Sequence, residues 1–310
     1  MIYDYGNGIY GVDSYYEGRE FAEIFILRGG GRAAVVESAH NASLPRLLSA
    51  LDELGIARGE IDYLCLTHVH LDHAGGAGSY MREFPNARLL LHPRGARHMI
   101  DPAKLVEGVR AVYGAAETER MYGEIIPVPE ARVTAPRDGE EFSVGEFTLA
   151  CYDAPGHARH HMIFFEKKTK SLFAGDAFGI SFPWMEGAAG RWAFPSTSPV
   201  QFDPEAMIAT TERILSLRPD SVYITHFGRI AGAQAERVAA SLIESVKKYT
   251  RLAEEKGGDK DKIKSGLLSL YRRMAEENGI KAAEAPKEPF LIDSELNAQG
   301  IAFWYKSANK

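Results

Sequence analysis

Cysteine is scarce in this chain: two thiols, Cys65 and Cys151, in 310 residues. Both sit inside apolar runs and neither has a CxxC neighbour, so each reads as a small buried hydrophobe, and an iron–sulfur site loses its ligands. Long apolar runs are missing too. None approaches the roughly 20 residues that a bilayer span needs, so no membrane partner is expected. Basic excess is absent as well, the formal net charge being -6, which leaves no electrostatic footprint for nucleic acid. The first residues, MIYDYGNGIYGVD, carry neither a basic n-region nor an apolar h-region, and a cytoplasmic location is the expectation. With 45% hydrophobic, 25% charged and 10% aromatic residues, nothing suggests disorder or a fibrous repeat.

What is present falls into two textures. The chain opens with strand-like IYGVDSYY and EIFILR, a Gly-Gly-Gly turn at 29 to 31, and AAVVES, which predict an antiparallel meander. Leu44, Leu47, Leu48, Leu51 and Leu54 follow at helical spacing and Gly55 ends them. IDYLCLT predicts a short strand, SYMREF a short helix, ARLLLH another strand, and 103 to 122 a helical stretch without a clean apolar stripe. The theme then repeats in RVTAP, EEFSVGEFTLACYDA, MIFFEKKTKSLFA, a helix at 204 to 217, and SVYITH. Two strand-rich halves closed by helices predict an α+β protein of two sheets packed face to face with helices outside. From about 232 the pattern is helical, with Ile263, Leu267, Leu270, Tyr271 and Met274 on one face. The expected division is a catalytic domain at 1 to 230 and a helical extension at 231 to 310. The extension reads first as a helical hairpin on the main domain, and second as an oligomer contact between copies of the chain or a wall of the substrate site.

The informative string is THVHLDHAGG, placed directly after the apolar strand IDYLCLT. His68, His70, Asp72 and His73 are four metal-ligand side chains within six positions, too polar a set for the end of a buried strand unless they hold an ion. Two apart in an extended segment, His68 and His70 point to the same side and can grip one ion. Asp72 and His73 follow the turn towards Gly75-Gly76 and can serve another nearby. Four ligands cannot close two coordination shells. His157 closes DAPGH, Asp176 closes LFAGD and His226 closes VYITH, each at or just past a strand end, where sites are usually built.

In this ordered set, HxHxDH and then His, Asp and His, the chain resembles the metallo-β-lactamase superfamily over roughly residues 1 to 230. The resemblance implies a four-layer αββα sandwich. It also implies that His68, His70 and His157 hold one metal, that Asp72, His73 and His226 hold a second, and that Asp176 bridges them. Two divalent ions are expected, zinc first, with iron or manganese as the other fits. Their charge exceeds that of the two aspartates, which favours a metal-bound hydroxide at neutral pH and therefore hydrolysis. Asp72 is placed to orient that hydroxide and shuttle its proton, a catalytic role beside its ligand role.

The remaining histidines divide. His92 and His98 read as structural, His40 has no functional reading, and one of His160 and His161 is placed to hydrogen-bond a ligand. The aromatic, Gly-rich stretch from 178 to 195 starts at Asp176, and its expected role is to enclose a small-molecule substrate. Phe178, Trp184 and Arg191 are the candidate contacts, Arg191 through a carboxylate or phosphate. The alternative is that these aromatics pack beneath the helical extension.

In layout the chain is similar to glyoxalase II and lactonase types, so the expected substrate is an ester, thioester or lactone. Two other readings stand beside it. A persulfide dioxygenase would use one iron on the same residue types, and a phosphodiesterase or nuclease shares HxHxDH but meets the acidic charge balance. Flavodiiron relatives carry Glu where this chain has His70, which favours hydrolysis over redox chemistry.

Overall fold

A computed structural model of the chain describes residues 1–188, 190–197, 199–280 and 287–309. Residues 281–286 and 310 of the expected extension, and Ala189 of the aromatic stretch, lie outside the described residues.

The opening meander forms β1 (Ile2–Asp4), β2 (Ile9–Asp13), β3 (Glu23–Gly29) and β4 (Arg32–Val36), paired antiparallel in sequence order. After helix α1 (Leu44–Glu53) the chain adds β5 (Ile61–Cys65) parallel to β4. Two short helices, α2 (Leu71–Ala74) and α3 (Ala77–Glu83), lead to β6 (Arg88–Leu90). Then α4 (Pro93–Ile100), α5 (Ala103–Tyr113) and α6 (Ala115–Tyr122) precede β7 (Val133–Thr134), which completes a seven-stranded sheet in the order β1 to β7. Gly114, at φ +84°, separates α5 from α6 in the stretch whose boundaries the sequence leaves open.

The second sheet uses β8 (Glu141–Val144), β9 (Phe147–Asp153), β10 (Met162–Glu166), β11 (Ser171–Phe173), β14 (Ser221–Ile224) and β15 (Gly228–Ala231), in the order β15-β14-β11-β10-β9-β8. A small ribbon, β12 (Glu186–Gly187) with β13 (Gly190–Arg191), and helix α7 (Pro204–Ser216) lie between β11 and β14 in sequence. The helices α8 (Gly232–Glu255), α9 (Lys260–Glu277) and α10 (Lys287–Ala308) end the chain.

Alternation along the strands assigns the layers. In β3, Ile24 and Ile26 face a cluster with Leu47 and Leu51 of α1 and Tyr80 of α3, whereas Phe25 and Leu27 face Leu149, Phe164 and Phe173 of the other sheet. In the second sheet Ile163, Leu172 and Val222 turn outward onto Ile214 of α7 and Val238 of α8. The result is the expected α+β sandwich of helix, sheet, sheet and helix. Cys65 and Cys151 are free and buried between the two sheets.

The C-terminal part is more than a helical hairpin. Ala235, Val238, Ala239 and Leu242 in the first half of α8 belong to the core of the second sheet. Val246, Tyr249 and Ala253 in its second half pack with α9 and α10. The third helix escapes a periodicity reading because its buried face carries Asp293, Ser294 and Asn297, while Leu291, Ile292 and Phe303 are exposed. Among the described residues no helix is long and apolar enough to cross a membrane.

Candidate metal centre

Four connections that leave strand ends deliver the seven expected ligands. The Thr67–His73 segment follows β5, His157 follows β9, Asp176 follows β11 and His226 follows β14. Two of these connections require glycine. Gly156, at φ +129°, would place a Cβ 2.4 Å from the Met207 backbone, and Gly175, at φ +52°, would place one 2.4 Å from Thr67 Oγ1. A side chain at Gly175 would push the Asp176 turn off Thr67, and one at Gly156 would push the His157 turn off α7.

Three overlapping groups of ligand atoms result. His68, His70 and His157 form one, Asp72, His73 and His226 another, and His68, His73 and Asp176 a third, each with its ligand atoms within 4.8 Å of one another. Asp176 lies between the first two: Oδ1 is 3.3 Å from His73 Nε2 and 3.7 Å from His226 Nε2, while Oδ2 is 3.6 Å from His157 Nε2. Asp72 Oδ2 is 3.4 Å from both His73 Nε2 and His226 Nε2.

The outer nitrogens show which way the imidazoles are protonated. His157 Nδ1 donates to Ser196 O at 2.9 Å, His226 Nδ1 to Phe21 O at 2.8 Å and His73 Nδ1 to Glu37 Oε1 at 3.1 Å. Thr67 gives its hydroxyl proton to Glu37, so Thr67 Oγ1 can accept from His68 Nδ1 at 3.1 Å. With its outer nitrogen held by an acceptor, each of these rings turns Nε2 inward, the arrangement that orients imidazoles for an ion. His70 Nδ1 faces His68 Nε2 at 2.9 Å and His157 Nε2 at 3.0 Å. Three ring nitrogens of three separate imidazoles thus meet at one point. His73 Nε2 and Asp176 Oδ1 are moreover buried without a hydrogen-bond partner among the described residues. The donor set thus fits divalent metal ions of the borderline kind.

Titration behaviour follows from burial and charge. Burial, and then the neighbouring imidazoles, hold His68 and His70 well below the ordinary histidine range. Burial acts the same way on His73, but Asp72, Asp176 and Glu37 outweigh it and push that ring well above its usual value. Burial raises the Asp176 carboxyl, yet His73, His157 and His226 together bring it below the usual range.

Glu37 is the residue that sequence reasoning missed. It is fully buried at the end of β4, at φ +70°, and its carboxylate takes bonds from His73, Thr67 and, at 3.1 Å, Thr225 Oγ1. A charged residue closing the apolar run AAVVE is the same signal that marks His157, Asp176 and His226. Of the adjacent pair, His161 Nε2 accepts from the Asp176 backbone N–H at 3.2 Å, while the His160 ring stands edge-on to His70 with centroids 5.4 Å apart.

Two of the three expected substrate contacts, Phe178 and Arg191, are buried away from solvent. Phe178 is 0% exposed and packs with Ala154, Ile163 and Leu242, so its ring has no surface to offer a substrate. Arg191 is buried, with its guanidinium spent on Ser181 Oγ at 2.9 Å, Ser181 O at 2.6 Å, Arg229 O at 2.9 Å and Phe227 O. It braces the backbone beside His226 instead of meeting an anion. Trp184 stands edge-on to Phe290 of α10, ring centroids 5.0 Å apart. The aromatic stretch packs beneath the C-terminal helices because its rings find more apolar area there than at a polar rim.

The family model for the metallo-β-lactamase superfamily matches residues 18–226. ST1585, a metallo-β-lactamase fold-containing protein of Sulfurisphaera tokodaii, is 26% identical over 221 residues, 68% of this chain and 75% of that one. Its solved structure has a likeness of fold, with a TM-score of 0.62 at 24% identity, over 79% of this chain and 86% of that chain. The hydroxyacylglutathione hydrolase GloC of Haemophilus influenzae is 25% identical over 209 residues, covering 63% of this chain and 80% of that protein. The acyl-coenzyme A thioesterase MBLAC2 of Gallus gallus is 27% identical over 199 residues, covering 58% and 67% respectively.

Proposed function

The chain belongs to the metallo-β-lactamase superfamily, and from that premise we propose that it is a metal-dependent hydrolase that cleaves the acyl–sulfur bond of a small-molecule thioester. One observation carries the reading: four imidazoles with their outer nitrogens tied down turn their Nε2 atoms towards His70 Nδ1 and the Asp72 and Asp176 carboxylates. The choice of thioester over lactone or ester follows the relatives, since GloC and MBLAC2 are both named for thioester substrates.

In this reading His68, His70 and His157 hold one divalent ion, Asp72, His73 and His226 hold the other, and Asp176 serves both. Zinc suits the ligand set best, with iron and manganese next. When bound, such ions lower the pKa of water to near neutrality and stabilise negative charge on a carbonyl oxygen. The chain's own residues do the rest. Asp72, with 26% of its side chain exposed against 5% for Asp176, is the ligand carboxylate nearer solvent, and it orients the attacking water and takes its proton. Glu37 fixes His73 directly and His68 through Thr67, so both rings are set before substrate arrives. Water adds across the C–S bond, giving a carboxylic acid and a thiol.

The test is a hydrolysis panel of an acyl thioester, a lactone and a phosphodiester, run with metal quantified. Preference for the thioester supports the reading. Activity confined to the phosphodiester, or oxygen uptake on a persulfide with one iron bound, replaces it with one of the alternatives.

A further inference from the structure

Of the seven cradle residues only His70 and Asp72 are partly exposed, so the centre opens to water beside these two. The walls on either side of the opening differ. Beside Asp72 and His226 the wall is apolar: the Phe21 ring stands edge-on to His226, centroids 5.6 Å apart, and packs in one cluster with Tyr16, Leu71 and Tyr122. These side chains suit an apolar group and offer an anion nothing in exchange for its water.

Beside His70 the wall is basic. The His160 ring stands edge-on to His70 with centroids 5.4 Å apart, and Gly95 of α4 comes so close that a Cβ there would lie 3.7 Å from His160 Cβ. Three arginines gather around this contact: Arg94 and Arg97 of α4, and Arg159 of the turn that follows His157. Arg94 Nη1 donates to Arg159 O at 3.4 Å, which brings the two residues together. Arg159 N donates to Gln201 Oε1 at 2.9 Å, and Gln201 Nε2 reaches His160 Nε2 at 3.4 Å, so the turn is held in place. All three arginines are exposed, and none forms an ion pair among the described residues. The acids nearest to them in sequence are engaged elsewhere, Asp153 with His92 Nε2 at 3.0 Å and Asp101 with Ala103 N at 3.2 Å. In a chain of net charge -6, three guanidiniums without a carboxylate make a local positive field at the mouth of the centre.

We propose that Arg94 and Arg159, with Arg97 adding charge, form an anion subsite that holds a phosphate or carboxylate on the thiol arm of the substrate. The word thiol rests on the thioester reading; the subsite itself rests on the three arginines. Guanidinium groups suit the task, because their planar pairs of donors match the oxygens of either anion. The two walls also set the direction of the substrate. A thioester with a charged thiol arm and an uncharged acyl group satisfies both walls in one orientation only, with the arm on the Arg159 side and the acyl group on the Phe21 side. Since the arginines are exposed, their hold on the anion is screened by salt, unlike the buried metal ligands.

The probes are S-ethyl-coenzyme A, S-ethylglutathione and S-ethylpantetheine, thioethers that cannot be hydrolysed. The first carries phosphates, the second carboxylates and the third neither. Titration calorimetry measures their affinities for the metal-loaded full chain, in the wild type and in the double variant Arg94→Gln with Arg159→Gln. The wild type binds at least one charged probe about tenfold more tightly than S-ethylpantetheine at low salt, the preference shrinks as sodium chloride is raised, and most of it is gone in the variant. Which charged probe is preferred tells phosphate from carboxylate. Because both arginines are exposed, the variant melts with the wild type and keeps its metal content, so a lost preference is not a lost fold. The inference is overturned when the wild type binds all three probes alike, when it binds none, or when the variant keeps the preference. Hydrolysis of S-acetyl-coenzyme A and S-acetylpantetheine is scored separately. Preference without hydrolysis keeps the subsite and removes the thioesterase reading, and hydrolysis without preference does the reverse.

Discussion

Asp176 and Asp293 are both buried carboxylates with an oxygen that has no hydrogen-bond partner among the described residues, yet they titrate in opposite directions. Burial raises each. Around Asp176 three imidazoles more than cancel that effect, whereas Asp293 has only His226 to oppose burial and two further carboxylates to reinforce it. The same side chain is thus held as an anion in the strand-end rim and keeps its proton to higher pH in the helical layer. What differs is the set of groups that the fold packs beside it.

The largest effect expected from breaking this contrast is at the cation side. Asp176→Asn, measured by metal content and thioester hydrolysis together, loses one ion and lowers kcat/KM by more than about 100-fold, beyond the usual effect of altering an outer hydrogen bond to a ligand. Glu37→Gln keeps the shape but removes the anion that holds His73 and Thr67. It weakens metal binding about 10- to 100-fold in a competitive chelator titration.

Asn297→Ala sharpens the link between the two regions. It leaves the Thr197 N–H without its acceptor in a buried position, at a cost of about 1–3 kcal/mol seen as a lower melting temperature. It also loosens the segment that seats His157, so the ion held by His68, His70 and His157 dissociates before the other.

The smallest effect is in the pH dependence of stability. Burial pushes Glu23, which is fully buried, up to about 8 from an ordinary 4.5, and Asp293 to about 7 from 3.8. In each case the folded state binds the proton more tightly than the unfolded chain. Stability contributed by the protonated carboxyls is therefore full below pH 3.8 and is lost as pH rises to about 8. Denaturant titrations across that window register the fall against the opposite trend of the metal ligands, and Glu23→Gln flattens its upper part.

The cradle residues were legible in the sequence because metal chemistry admits few residue types and the strand ends space them regularly. His68, His70, Asp72 and His73 announce themselves in one string, and His157, Asp176 and His226 each close an apolar run. Alternation in strands such as EIFILR also predicts two packed sheets. Glu37 was missed although it closes a run in the same way, because a lone carboxylate reads as a surface residue until its partners Thr67 and Thr225 are seen. Phe178 and Arg191 were misread for the reverse reason: position next to a ligand in sequence says little about direction, and their side chains turn into the core and onto backbone carbonyls. Within the helical extension, α10 was not singled out as a third helix because it buries Asp293 and Asn297 while exposing Leu291 and Ile292. A helix whose inner face mixes polar with apolar residues and whose outer face carries apolar ones has a weak amphipathic signature.

The central claim is that the cradle holds two ions that make the chain a thioester hydrolase, and elemental analysis of the purified protein coupled to thioester turnover tests it most directly. The account predicts about two divalent ions per chain, loss of turnover on chelation and its return on adding zinc. A single firmly held iron with no thioester turnover and oxygen uptake on a persulfide would contradict it.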